Sequence, residues 1–249
     1  MMQNARGLTV STDSIEVINS IDHFSQQILG SGLAAADILD AAKNHPDSLL
    51  IQTYAAVFNL YSQEHQITKN ALPYLLQAER QLKTANLREK LIYQAVRALQ
   101  RLDYECGLSI LTAVVSLFPR DTLAIKLAEW LFYCSGQAYQ AARFLRLCDQ
   151  SAAVNQDEPH FLATHAFALE LSGHHAHAKR MAEQGIEMNR ITPWAHHCLG
   201  HIYLLQNDID GGLRCLQDLQ SSWDGLLPLM KGHNSWRDFT VRVMRGHLQ

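Results

Sequence analysis

The sequence predicts an all-α fold built from antiparallel helix pairs, and three observations carry that prediction. The first is a recurrence. Ala166, Gly173, Ala178 and Gly185 are followed 34 residues on by Gly200, Asn207, Gly212 and Leu219, and the same frame upstream meets Ala95, Gly107 and Pro119, with Asp121 just beyond. The second is punctuation. The six prolines, Pro46, Pro73, Pro119, Pro159, Pro193 and Pro228, fall where the apolar pattern breaks. Pro159 and Pro193 suit the first position of a helix, where the missing N–H costs nothing. The third is spacing. Ile92, Ala95, Val96 and Leu99 form one helical stripe and Leu127, Trp130, Leu131 and Cys134 another, while nothing long alternates with period two, so no sheet is expected. A 34-residue period with small residues at fixed phase is the signature of tetratricopeptide-type repeats, so the predicted architecture is a right-handed superhelix, an α-solenoid.

The elements follow in order. Residues 1–12 are expected to be disordered or loosely ordered, and 13–249 to form a single solenoid domain. Residues 13–46 give a first helix pair, broken at Gly30-Ser31-Gly32. Residues 49–84 give a second, with an irregular turn over Glu64–Asn70. The third and fourth pairs occupy 88–118 and 122–150. The polar stretch Gln150–Pro159 interrupts the period, because Thr122 to Pro159 is 37 residues rather than 34. Residues 159–189 and 193–222 are the best-formed repeats. A last helix is expected from about Leu226 to Gly246. That final segment either caps the solenoid or leaves an apolar face open, which predicts a protein partner or self-association into a homo-oligomer.

Composition narrows the function classes. The hydrophobic fraction of 47% is enough for a sizeable core. Charged residues make up 18%, below the roughly 25% usual for soluble domains, as expected of a surface partly covered by a partner. A net charge of −3 argues against a dedicated nucleic-acid binder. No apolar run reaches the ~18 residues of a membrane-spanning helix. The opening MMQNARGLTVSTDS lacks the apolar core of a secretory signal. Cys106, Cys134, Cys148, Cys198 and Cys215 are odd in number and form no CxxC pair, so they are expected to be small buried hydrophobes in a reducing, cytoplasmic setting.

Chemistry-bearing residues concentrate late in the chain. Ten of the 13 histidines lie at or after His160. His197 and His201 are one helical turn apart and share a face, and His233 follows on the next predicted helix. Three such imidazoles can ligate a metal or act as general acid and base. Trp194 and Trp236 flank them and can wall a pocket. Against this, the chain has no HExxH and no cysteine at ligand spacing, so spacing alone favours a structural or groove-lining role. No metal and no cofactor are expected. His174, His175 and His177 fall in a turn and are expected to face solvent. Trp130 and Trp223 are assigned to core packing, and Asp208 and Asp210 to a turn and the helix it starts.

Residues 159–236 resemble the tetratricopeptide repeat protein thirty-eight family. The resemblance rests on AFALELSG at 166–173, AEQGIEMN at 182–189, WAHHCLGHI at 194–202, DGGL at 210–213, Trp223 and HNSW at 233–236, with FPRDTLAIK at 118–126 upstream. Matched residue by residue, the family's recurring set falls on Trp194, His197, His201, Trp223, His233, Asn234 and Trp236, which implies a pocket. Two positions depart. Leu204 stands where the family usually has Glu, and Arg237 where it usually has a second His. The family also continues through further helices, so the resemblance implies a shortened or diverged member. The function expected first is a protein-interaction scaffold that binds a peptide or protein in its concave groove. The alternative is a small-molecule or metal-binding enzyme whose pocket is formed by His197, His201 and His233. Leu204 and Arg237 favour the scaffold, or a member that has kept the fold without the ancestral site.

Overall fold

The structure is a computed structural model and describes residues 1–62 and 64–235. It is all-helical apart from one small hairpin. Contacts divide the chain into two compact units, Met1–Ile28 with Ala34–Gln140, and Leu29–Leu33 with Ala141–Gln249. The division at Gln140 falls inside a helix.

The first unit begins with the hairpin, in which β1 (Met2–Gln3) pairs antiparallel with β2 (Thr9–Val10). This short ladder is the only sheet among the described residues, and it orders residues 1–12, expected to be disordered or loosely ordered. The segment is held by partners far along the chain. Arg88 and Asn86 donate to the carbonyl of Thr9 at 3.1 Å each, and the Ser11 N–H donates to Glu89 at 2.8 Å. Leu8 and Val10 are buried beneath. Such pairings lie more than seventy positions apart, so no local pattern announces them.

The helices of this unit are α1 (Ile15–Gly30), α2 (Asp37–Asn44), α3 (Leu49–Tyr61), α4 (Ile67–Glu79), α5 (Leu87–Gln100), α6 (Tyr104–Leu117) and α7 (Thr122–Cys134). α8 (Gln137–Ala152) carries the boundary between the units. The second unit continues with α9 (Pro159–Leu171), α10 (His175–Met188), α11 (Pro193–Leu205) and α12 (Ile209–Leu219), then a 3₁₀ turn at Gln220–Trp223 and helical residues at 228–235.

Local chemistry sets these boundaries. Ser48, Asn86, Asp103, Asp121 and Asp208 each accept a backbone N–H at the start of the following helix, and Asn86 with Glu89 forms a reciprocal capping box. Pro159 and Pro193 occupy first-turn positions, as the sequence predicted. Pro73 is a correction, because it lies inside α4 rather than at a break. Its ring is on the exposed face, where solvent can take the carbonyl that Pro leaves unpaired.

The turns inside the helix pairs share one device. Ser31, Gln66, Leu102, Gly136, Gly173 and Asn207 all have positive φ, between 53° and 102°, and follow one another at intervals of 34 to 37 residues. In three of these turns the next N–H reaches the carbonyl five residues back: Asp103 to Ala98, His174 to Leu169 and Asp208 to Tyr203, at 2.9–3.0 Å. This closing bond needs a left-handed residue before the donor. Of the frame-setting small residues, Ala166, Ala178 and Gly185 are buried, and Gly173 and Asn207 lie exposed in turns. Ala166 and Ala178 are fully buried, and a Cβ on Gly185 would sit 3.1 Å from the carbonyl of Pro159.

The two helices of a pair differ in environment. Ten of thirteen residues are buried in each of α3, α7 and α9, against three of thirteen in α4 and four of fourteen in α10. α3, α7 and α9, first helices of their pairs, are therefore enclosed on nearly all sides, and α4 and α10 are amphipathic. Arg88 and Asp121 make a buried ion pair at 2.8 Å, and Lys126 pairs with Glu129 on α7. Burial pushes the Glu129 carboxyl upward against the opposing pull of Lys126. Trp130 is not core as expected. It is half-buried in an aromatic stack with Tyr61 and Tyr133, at centroid distances of 5.2 and 5.6 Å.

Candidate functional site

α9 packs against α10 and α11, and α11 against α12, within the second unit. Pro193 starts α11 and places Trp194, His197 and His201 on one face by helical periodicity. The helical residues at 228–235 supply His233 and Asn234. The structure brings the three predicted histidines together. The His197 ring lies 4.2 Å from that of His201 and 4.5 Å from that of His233, centroid to centroid. Trp194 meets His197 edge-on at 5.5 Å. Phe167 of α9 touches all three α11 rings, at 5.6 Å from His197, 5.7 Å from Trp194 and 6.1 Å from His201. Asn234 is buried, donates to the carbonyl of Pro193 at 3.3 Å and keeps a buried Oδ1 with no hydrogen-bond partner. Trp236 and Arg237, the other two candidates, lie outside the described residues.

One member of the cluster was not foreseen. Glu170 of α9 faces His201, with Oε2 at 3.3 Å from Nδ1. Its carboxylate is mostly buried. The other ring nitrogen, Nε2, is buried and has no hydrogen-bond partner. Leu204 packs against the apolar cluster around Leu213, Leu216 and Trp223. Glu170 lies 34 residues before Leu204, one period of the recurrence. That spacing is the sequence signal that could have found it.

The neighbouring histidine has a different role. His196 is fully buried, Trp223 donates its indole N–H to Nδ1 at 3.0 Å, and Nε2 lies 3.0 Å from the carbonyl of Arg190. The two bonds fix the neutral tautomer, with the proton on Nε2. Burial holds its pKa down at about 4. Trp223 is core, as expected. A second carboxylate–imidazole pair joins His165 to Asp149 at 2.9 Å. Burial lowers the His165 pKa, and the Asp149 bond opposes that shift.

The remaining candidates separate cleanly. His174 and His177 are exposed and His175 half-buried, in and just after the α9–α10 turn. Asp208 caps α12. Cys148 and Cys198 are buried, whereas Cys106 is exposed, a correction to the expectation that all five are core. Burial raises the Cys198 thiol pKa, and the charge of Glu170 adds to the shift. Among the described residues, no group of three or more His, Cys, Asp or Glu side chains is arranged to hold a metal ion. Nor is any described helix long and apolar enough to cross a membrane. The apolar crevice between Val57, Val96, Leu111 and Leu131 in the first unit is lined almost wholly by carbon and has little to orient a polar ligand. The chain matches no known protein-family model.

Proposed function

We propose that this chain is a tetratricopeptide-like helix-pair superhelix, a cytoplasmic interaction scaffold that binds a protein or peptide partner. The observation that supports this reading is the left-handed residue recurring every 34 to 37 positions in the turn of each pair. Such regularity is what a stack of like units needs, and stacked repeats serve mainly as binding surfaces. The groove of such a superhelix is lined by first helices. In the second unit α9 is enclosed, so a partner meets the accessible part of these first helices at the end of α11, where Tyr203 and Leu204 are half-buried and Leu205 is exposed. The test is affinity capture from a cell extract with wild type and a Tyr203→Glu, Leu205→Glu variant. A partner retained by the wild type and lost from the folded variant supports the reading. Equal retention places the contact elsewhere and removes the α11 surface from it.

The histidine cluster favours a second reading, a pocket for a small polar molecule bounded by Trp194, His197, His201 and His233. Its support is the pair of buried acceptors without partners, His201 Nε2 and Asn234 Oδ1. Buried polar atoms are ordinarily satisfied, by protein, water or ligand. On this reading the scaffold holds a binding site, with no chemistry assigned to it.

A further inference from the structure

The pocket reading leaves open what gives His201 its orientation. His201 hangs from α11, a largely buried ring whose Nε2 is fully buried. Glu170 reaches its Nδ1 from α9, 3.3 Å away. A carboxylate can only accept, so the proton of the pair sits on Nδ1. Nε2 of the neutral ring is then a bare lone pair pointing into the protein. Two rings pack edge-on against His201, Phe167 at 6.1 Å and His197 at 4.2 Å, and together they limit rotation of the imidazole.

Resting on the pocket reading, we infer that Glu170 is a positioning residue that fixes His201 in its Nδ1–H tautomer, and that Nε2 is thereby presented to a ligand bearing hydrogen-bond donors. The class is an alcohol or an ammonium group, because the acceptor on Nε2 calls for a donor and the aromatic rings of Phe167 and Trp194 tolerate either carbon or positive charge beside it. Asn234 Oδ1, the other buried acceptor without a partner, asks for the same chemistry. The carboxylate that orients an imidazole from behind is a recurring way of setting which nitrogen is offered. Here it comes from α9, 34 residues before Leu204.

The test is ¹⁵N NMR of the full chain at pH 8, using long-range proton–nitrogen correlations that distinguish the two tautomers of each imidazole. His201 is assigned by His201→Gln. The wild type is expected to show the proton on Nδ1. Glu170→Leu is expected to move it largely to Nε2, and Glu170→Gln, whose amide oxygen can still accept, to restore Nδ1. A wild-type proton on Nε2, or an unchanged tautomer in Glu170→Leu, overturns the inference. Circular dichroism establishes that each variant is folded, and Glu170→Ala, which also lacks an acceptor, replaces the leucine variant if that one is not. The ligand class is read separately, by titrating glycerol and ethylammonium and following His201 Nε2. At least one is expected to shift it in the wild type, and at least tenfold less effectively in Glu170→Leu. If the tautomer behaves as stated and neither probe shifts the nitrogen, the donor-ligand assignment and the pocket reading fail while the positioning role stands.

Discussion

His196 holds its proton state through two hydrogen bonds, accepting one from Trp223 at Nδ1 and donating one to the Arg190 carbonyl from Nε2. Protonation would put a second N–H where the indole N–H already points. The native pKa of about 4 lies below the ordinary imidazole value of 6.5, so the unfolded chain binds the extra proton first as pH falls. The sign follows. The contribution is fully present above pH 6.5 and is lost as pH falls from there through about 4, with a full extent of about 3 kcal/mol. Urea unfolding at pH 7, 5 and 4 should show this loss in the wild type and a much smaller one in His196→Gln. Equal pH dependence in the two proteins would remove His196 as the cause. The small residues give a second expectation at this scale. Ala178 is fully buried, so Ala178→Leu should overpack the helix contact and cost roughly 1–3 kcal/mol. A loss near zero by denaturant titration would mean that the 34-residue frame does not mark close contacts.

At the scale of the element, the turn inside each pair is the feature that repeats most faithfully. Gly173 and Gly136 adopt positive φ at no steric cost, but Leu102 holds φ near 61° with its side chain 55% exposed. Left-handed backbone costs a residue with a Cβ about 1 kcal/mol, and an exposed leucine has little burial to lose. Leu102→Gly should therefore stabilise the protein by about 1 kcal/mol, measured by chemical unfolding; a destabilisation would mean that the leucine packs in a way its exposure hides. The same turns show what was legible in the sequence. Gly173 and Asn207 stood out because each is a residue type that tolerates positive φ, and their 34-residue spacing fixed helix boundaries within a few residues. Leu102 and Gln66 carry the same backbone without the residue type, so nothing in the residue itself marks the left-handed position. Of the site, His197, His201 and His233 were legible because helical spacing and residue type suffice to group them. Glu170, the His196–Trp223 bond and the N-terminal hairpin were not, because each depends on a partner 27 to 79 positions away. Pro73 was misplaced for a related reason, since a proline on a solvent face can be absorbed into a helix that packing holds from the other side.

For the whole molecule, the enclosure of α3, α7 and α9 and the exposure of α4 and α10 have a dynamic consequence. A helix buried on nearly every face cannot open without exposing apolar surface on each, whereas an amphipathic helix can lift from one side. Ile125, Leu127, Ala128 and Leu131 of α7, and Leu162, Ala163, Ala166 and Leu169 of α9, are each no more than 4% exposed. Fully burying one such side chain is worth about 1.5–3 kcal/mol for the larger types, so opening α7 or α9 costs several of these at once and approaches global unfolding. α10 buries Ala178, Met181, Ala182 and Gly185 along a single stripe and turns its remaining faces outward. Its opening gives up far less. Native-state hydrogen exchange should then separate the two layers, with amides of α3, α7 and α9 exchanging at the slow limit set by global stability and those of α4 and α10 faster by sub-global opening. Mass spectrometry of peptides spanning 122–134 and 159–171 against 67–79 and 175–188 reads the difference directly. If second-helix peptides are as protected as first-helix peptides, each pair opens as one cooperative unit and the layered account of stability is wrong.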